Sequence, residues 1–396
     1  MNRIFVTGGT GYLGSYVIAE LFAGAGSSTE HAPRISLLTR ARDRADFVEK
    51  LWRAMQLHWS AEEFAAALPR IDFVRGDLTA KDLGIDARER ERVLRETESV
   101  LHIAASLNRK SEKACLNANL RGNLSVIELA REIRDARGLR RFSAVSTTAV
   151  CGRREREVVA EDASIDWERS DYDPYGRTKK FAEHMVHELL RDVPRTIFRP
   201  STVLGDSRFP ETTQFEMARA YCFFADLPAI PIGAHIRQDI VNADFVGKAI
   251  ALLHTKDRPE HETYHLSAGA SSKTAREVGD ALLGGTGRRP PRFLTPMQGP
   301  FAAVVDRLAS GPRGKVSLMA SLLKVFLPYV TNDVVFDNTR VTTELGIAPA
   351  PFTEYCAALY EWAKSVDFEY PYVPLPDALR RDAASHSAFG SVGGAP

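Results

Sequence analysis

The stretch IFVTGGTGYLGSYVIAELF, residues 4–22, constrains the fold of this chain more than any other. A β-branched apolar run meets Gly8, Gly11 and Gly14, spaced GxxGxxG, and apolar residues at helical spacing follow at once. A strand that turns into a helix on glycines can bring backbone N–H groups against a pyrophosphate at the helix's positive end. A glycine-rich turn without a ligand is the competing reading. The strand before the turn and the amphipathic helix after it favour a dinucleotide site. Thr7, Gly8, Gly11, Tyr12, Leu13 and Gly14 are its first candidate residues.

The alternation continues downstream. Strand-like runs at 4–8, 35–39, 71–76, 99–105, 141–147 and 195–200 are separated by helical patterns such as NLSVIELAREIRDA and residues 175–190. Nearly continuous apolar strands joined by helices predict an α/β fold, a Rossmann-type doubly wound parallel sheet. After Pro200 the pattern changes to prolines, glycines and short elements, with helical stretches VNADFVGKAIALLH and TAREVGDALLG. This predicts a smaller C-terminal α+β substrate lobe. The expected division is 1–204 for the dinucleotide-binding domain, 205–375 for the lobe, with some segments returning to the first domain, and 376–396 for a disordered tail.

Bulk properties narrow the function by exclusion. With 44% apolar and 26% charged residues over 396, the composition is that of a soluble globular protein. A net charge of +1 gives no general attraction for nucleic acid. Cys115, Cys151, Cys222 and Cys356 show no CxxC or zinc-like spacing, which predicts reduced thiols in a cytoplasmic protein and no metal site. No secretory leader is apparent, and no run approaches the roughly 20 apolar residues of a membrane span. VSLMASLLKVFLPYV, 316–330, is broken by Lys324 and Pro328 and reads as a packed helix, with membrane-surface or acyl-chain contact as the alternative.

The second strand ends LLTRARDR, where an acidic residue would favour NAD. Arg40 stands there instead, with Arg42 and Arg44 after it, and guanidinium groups suit a 2′-phosphate, so NADPH is the expected cofactor. A solvated basic loop is the competing reading. Asp77, after the third strand, is placed to bind an adenine amino group, against a simple strand-end turn. Leu78 and Ala104 extend the expected cofactor set, and Pro200 and Ser201 after the sixth strand are placed to line a nicotinamide pocket.

DYDPYGRTKK places Tyr175 and Lys179 four residues apart, on one helix face. A lysine ammonium beside a phenol lowers its pKa from about 10. With the glycine turn, SAVSTTAVCG and YGRTK in one order, the chain resembles the extended branch of the short-chain dehydrogenase/reductase superfamily from residue 4 to about 270. That resemblance implies a catalytic Thr147, with Thr148 as the alternative, together with Tyr175 and Lys179; the last two also contact the cofactor. TGGTGYLG, LLTRA, GDLTAKDLGI, LHIAASLN, STTAV and RPSTVLGDSR are similar to the thioester reductase and fatty acyl-CoA reductase group. Members reduce an acyl thioester, on coenzyme A or a carrier protein, with NADPH, to the aldehyde or on to the alcohol.

No adenylation or carrier segment is evident, so the expected partner is a thioester arriving in trans. Peripheral membrane contact is compatible with this reading. The alternatives are an NADP(H)-dependent ketone, aldehyde or hydroxysteroid-type reductase, a sugar-nucleotide epimerase or dehydratase, and a nucleotide-binding protein without turnover. Asn119 and His102 are expected to be structural, and Asp239 and Asp244 to serve at helix starts and between the lobes.

Overall fold

The structure is a computed structural model that describes residues 3–24, 32–162, 165–284, 291–312, 314–331 and 333–388. Its centre is a seven-stranded sheet made of β1 (Arg3–Thr7), β2 (Arg34–Thr39), β3 (Ile71–Arg75), β4 (Ser99–His102), β5 (Arg141–Val145), β6 (Arg195–Pro200) and β7 (Thr263–Leu266). The strands lie in the order β7-β6-β5-β4-β1-β2-β3, and every pairing is parallel. The order reverses between β1 and β4, which opens a crevice at the carboxyl ends of those strands.

The helices that bear on the site are α1 (Tyr12–Ala23), α2 (Arg44–Met55), α3 (Gly122–Arg137), α4 (Pro174–Leu189), α5 (Glu216–Asp226), α6 (Ala243–Thr255), α7 (Lys315–Thr331), α8 (Phe352–Ser365) and α9 (Asp377–Ala388). Alternation along each strand feeds two cores. Ile4 and Val6 pack with α1, α2 and α6 on one face. Phe5 packs with α3 and the end of α4 on the other. A third core, built from Met217, Leu323, Leu327, Phe352, Tyr355 and Leu359, holds α5, α7 and α8 together as the C-terminal lobe.

Several local starts follow from single residues. Asp43 caps α2 by accepting from Asp46 N, and Asp173 caps α4 by accepting from Gly176 N at 2.8 Å, with Pro174 in the first turn. By contrast, α1 begins on Gly11 with no side-chain cap.

The structure departs from the sequence reading at two strand ends and in the C-terminal stretch, and it shows which segments return from beyond residue 204. The runs at 99–105 and 141–147 end as strands at His102 and Val145; beyond them the chain leaves the sheet and enters the crevice. Two segments from beyond residue 204 complete the Rossmann layer. β7 pairs with β6, and α6 packs on α1 so closely that a Cβ on Gly247 would lie 2.7 Å from Tyr16 Cβ. Finally, α9 occupies part of the stretch read as a disordered tail, with Leu379 and Ala383 packed into the first core; residues 389–396 lie outside the described residues. The helix expected at 316–330 is present as α7, with Leu323 and Leu327 buried and Val316 and Leu318 exposed. All four cysteines are buried and unpaired, and among the described residues no helix is long and apolar enough to cross a membrane.

Candidate active site

The crevice holds a cavity of about 1140 Å³. Its floor is the glycine turn. Gly8 takes φ +79°, and a Cβ there would sit 2.5 Å from the Ala104 nitrogen, so only glycine lets β1 and the end of β4 come this close. A Cβ on Gly14 would fall 2.1 Å from the Gly8 oxygen. With no side chain capping α1, the amides of its first turn face the cavity and suit an anionic ligand. Thr7 and His102 fix the strand ends beneath: Thr7 Oγ1 and His102 Nδ1 are 2.7 Å apart. Burial pushes the imidazole down to about 3, so His102 is neutral and packed.

All the residues expected to hold a cofactor line this one cavity: the turn, then Arg40, Asp77 and Leu78, then Ala104, Tyr175, Lys179, Pro200 and Ser201. Arg40 is exposed at the end of β2. Its two neighbours are engaged elsewhere, Arg42 with Asp46 at 3.5 Å and Arg44 over the Phe47 ring at 5.4 Å. Asp77 Oδ1 accepts from the Thr79 amide and hydroxyl, both at 2.8 Å, which closes the turn after β3 and leaves its second oxygen for a ligand.

Thr147 and Tyr175 meet across the other end of the cavity. Thr147 leaves β5 in extended conformation (φ −165°), and its hydroxyl lies beside the Tyr175 phenol and pulls that pKa down. Thr148 also lines the cavity, but it exerts no such pull. The expectation that Lys179 depresses the Tyr175 pKa is not met. Burial dominates and raises the phenol above its ordinary value, and the cation opposing it is Arg109. The Arg109 guanidinium carbon sits 5.0 Å from the Tyr175 ring centroid and 4.6 Å from that of Tyr329 on α7, with Nε 3.8 Å from Asp173. Sequence reasoning missed it, since no spacing joins residue 109 to residue 175.

Lys179 is itself 6% exposed and donates to the Val145 carbonyl at 2.6 Å. Burial pushes its ammonium down to about 8 against the pull of Glu183, one turn further along α4. Glu183 is buried against Arg199, whose Nε lies 3.1 Å from it, and accepts from Ser146 Oγ on the strand end that carries Thr147. Lys180 turns away to Asp171 at 2.7 Å.

Asn119 is spent on structure. It accepts from Ser106 N at 2.7 Å and donates to Ser106 O and Thr178 Oγ1, tying the loop after β4 to α4. Asp239 joins the lobes' edges by accepting from the amides of Ala268 and Phe336. Asp244, in the first turn of α6, holds Ser207. Among the described residues the one group of metal-ligating type is Glu260, His261 and Glu344, and Glu344 there is already paired with Lys256 at 2.8 Å.

The fold and this crevice define a class: an NAD(P)-binding oxidoreductase of the extended short-chain dehydrogenase/reductase type. Within it, residues 6–250 match the family model described as "Male sterility protein", and the chain belongs to that family. Among curated proteins it is 26% identical over 67% of its length to "Nonribosomal peptide synthetase asaC" of Aspergillus flavus, covering 26% of that protein. It is also 26% identical over 53% of its length to "Fatty acyl-CoA reductase wat" of Drosophila melanogaster, covering 44% of it. The chain thus spans less than half of either relative. Among solved structures, the terminal R domain of the myxalamid PKS-NRPS biosynthetic pathway superposes with a TM-score of 0.77 at 23% identity, over 94% of this chain and 93% of that one. That likeness establishes the fold.

Proposed function

We propose that the protein is an NADPH-dependent reductase of acyl thioesters, on coenzyme A or a carrier protein, with the aldehyde as first product. The observation that carries the reading is the convergence of Thr147, Tyr175 and Lys179 with the glycine turn in one cavity that α7 of the C-terminal lobe closes through Pro328 and Tyr329. The resemblance to thioester and fatty acyl-CoA reductases, and the relatives named above, supply the substrate class.

A bound nicotinamide dinucleotide supplies the hydride that adds to the thioester carbonyl carbon. The residues here then manage the charge that develops on oxygen. Tyr175 delivers a proton to that oxygen, and Thr147 donates a hydrogen bond to the same atom. Lys179, held on the Val145 carbonyl, is placed for a ribose hydroxyl, and Arg109 favours the phenolate left on Tyr175. The resulting hemithioacetal breaks its C–S bond to give aldehyde and thiol, and a second hydride would yield the alcohol. Arg40 meets a 2′-phosphate.

The test is to offer the purified protein NADPH with acyl-CoAs, carrier-bound acyl groups, aldehydes and ketones, following NADPH absorbance and identifying products. Thioester-dependent oxidation with release of free thiol is expected. Turnover of ketones alone would overturn the reading. Tyr175→Phe is expected to lower turnover at least a hundredfold while cofactor binding persists.

A further inference from the structure

Among the described residues, the charged side chains that the C-terminal lobe puts into the catalytic cavity are Arg237 and Asp239, and the proposed hydride transfer uses neither. Their placement follows from strand alternation. Arg237–Gln238 is a short strand paired antiparallel with Lys273–Thr274. Gln238 turns into the lobe, where its Oε1 accepts from the Tyr221 hydroxyl at 3.0 Å and its Nε2 donates to Val330 O at 3.1 Å. The residues on either side of it face the other way, into the cavity.

The two are engaged differently. Asp239 has both oxygens occupied, Oδ1 by Ala268 N at 2.8 Å and Oδ2 by Phe336 N at 2.9 Å. Arg237 donates from Nε and from its backbone N to Asp333 Oδ1, at 2.8 and 3.1 Å. That fixes the guanidinium by one edge and leaves Nη1 and Nη2 for a ligand. Both members of the pair are charged: against burial, Arg237 holds the Asp333 carboxyl below the usual carboxylate range.

Position and charge together set what that ligand is. Thr202 N donates to Asp239 O at 3.3 Å, so the strand carrying Arg237 runs on beside the segment that follows Pro200 and Ser201. Met217, Val334 and Phe336 supply apolar wall from the same lobe. An unbroken alkyl chain laid across Arg237 would strip water from its terminal nitrogens and return no acceptor. A carboxylate would enter a neighbourhood where Asp333 and Asp239 already outweigh the guanidinium. An ammonium group finds both Asp239 oxygens and Asp333 Oδ1 already taken. An uncharged oxygen acceptor fits.

We propose that Arg237 is a specificity-determining residue for the acyl group, donating from Nη1 and Nη2 to an uncharged carbonyl oxygen carried within the acyl chain, as an amide supplies. This rests on the thioester reading above. The substrate class it selects is an acyl thioester with a polar, uncharged chain over one with an unbroken alkyl chain.

The test compares coenzyme A thioesters of octanoate, of its isosteres with one amide at successive chain positions, and of the ω-carboxy analogue. Steady-state kinetics are measured for the wild type, Arg237→Met, Arg237→Lys and Asp333→Asn. In the wild type, kcat/KM for the best amide isostere is expected to exceed that for octanoyl about tenfold, through KM. Arg237→Met should erase that preference, and Arg237→Lys should restore part of it. Asp333→Asn keeps an oxygen for the Arg237 amide but removes the offsetting charge, so kcat/KM for the ω-carboxy thioester should rise several-fold relative to octanoyl; no rise overturns the charge balance on which the assignment rests. An octanoyl preference in the wild type, or an amide preference that survives Arg237→Met, overturns the proposal. An equal KM rise for every thioester assigns Arg237 to the arm they share, and a rise in KM for NADPH assigns it to the cofactor; both overturn it. If the wild type reduces none of the thioesters, the thioester reading itself fails, and this assignment with it. Reduction of octanoyl-coenzyme A without the amide preference leaves that reading standing and removes only this one.

Discussion

Arg109 shows how much one side chain can alter a site that otherwise follows a familiar pattern. Lys179 was the expected depressor of the Tyr175 pKa, yet its ammonium is committed to the Val145 carbonyl, and the cation over the phenol ring comes from the loop after β4. A guanidinium over an aromatic ring is attracted to it by up to about 2 kcal/mol where water is excluded, and its charge favours the phenolate further. Arg109→Met is therefore expected to lower kcat about tenfold with NADPH affinity retained, and Arg109→Lys to recover part of it; an unchanged kcat in the methionine variant would remove Arg109 from the mechanism. Arg40 supports a second residue-level prediction. It is exposed at the end of β2, while Arg42 and Arg44 are occupied by Asp46 and Phe47. Arg40→Ala should weaken NADPH binding on the order of a hundredfold and leave NADH binding nearly unchanged. Calorimetric titration of both cofactors decides it, and equal losses would refute the assignment.

At the scale of single elements, α4 is a ladder with a four-residue period: Tyr175, Lys179, Glu183 and His187 share one face. The rungs are electrically coupled. Burial lowers Lys179 to about 8, and the Glu183 carboxylate opposes that shift. Against burial, Arg199 together with hydrogen bonds from His187 and Ser146 holds the Glu183 carboxyl down at about 2, so it stays ionised. A lysine whose pKa is depressed loses its charge as pH rises through that value, so turnover of the wild type should fall above about pH 8. Glu183→Gln removes the opposing charge and should move this alkaline limb to lower pH. The kcat/KM profile of both proteins tests the coupling, and superimposable limbs would show that Glu183 acts only in packing.

Part of this element was legible in the sequence because a helix converts spacing into contact: DYDPYGRTKK supplied the shared face of Tyr175 and Lys179, while the Asp173 cap and the first-turn proline emerge from the structure. The glycine turn was legible for a similar reason, since φ and close approach at Gly8 and Gly14 admit little else. β7 was not. Alternation of buried and exposed residues is absent from its four residues TYHL, where Tyr264 and His265 are both buried, and its place at the sheet edge depends on β6, more than sixty residues earlier. Arg109 and Arg237 were illegible on the same ground, because their partners Tyr175 and Asp333 are distant in sequence.

For the whole molecule, the consequence is that no cut near residue 204 leaves an intact nucleotide-binding body. The chain leaves the Rossmann layer after β6, returns for α6 and β7, and returns once more when Leu375 and α9 pack beside α2. Val17, Ile18 and Leu21 of α1 bury themselves against Phe245, Val246, Ala249 and Ile250 of α6, and β6 has its outer edge covered only by β7. A fragment comprising residues 1–204 would expose that helix face and that strand edge together, which favours aggregation over folding. Dye binding and far-ultraviolet circular dichroism should report a partly ordered, sticky fragment, and a cooperative urea transition in it would contradict this account. The full chain offers a milder probe of the same joint. A Cβ at position 247 would meet Tyr16 Cβ at 2.7 Å, closer than van der Waals contact allows, so Gly247→Ala must push α6 away from α1. Overpacking of this kind costs about 1–3 kcal/mol. The same displacement reaches the glycine turn, which opens α1 one helical turn before Tyr16, so NADPH affinity should fall along with the urea midpoint. Loss of stability with cofactor affinity intact would mean that α1 absorbs the strain without moving the turn.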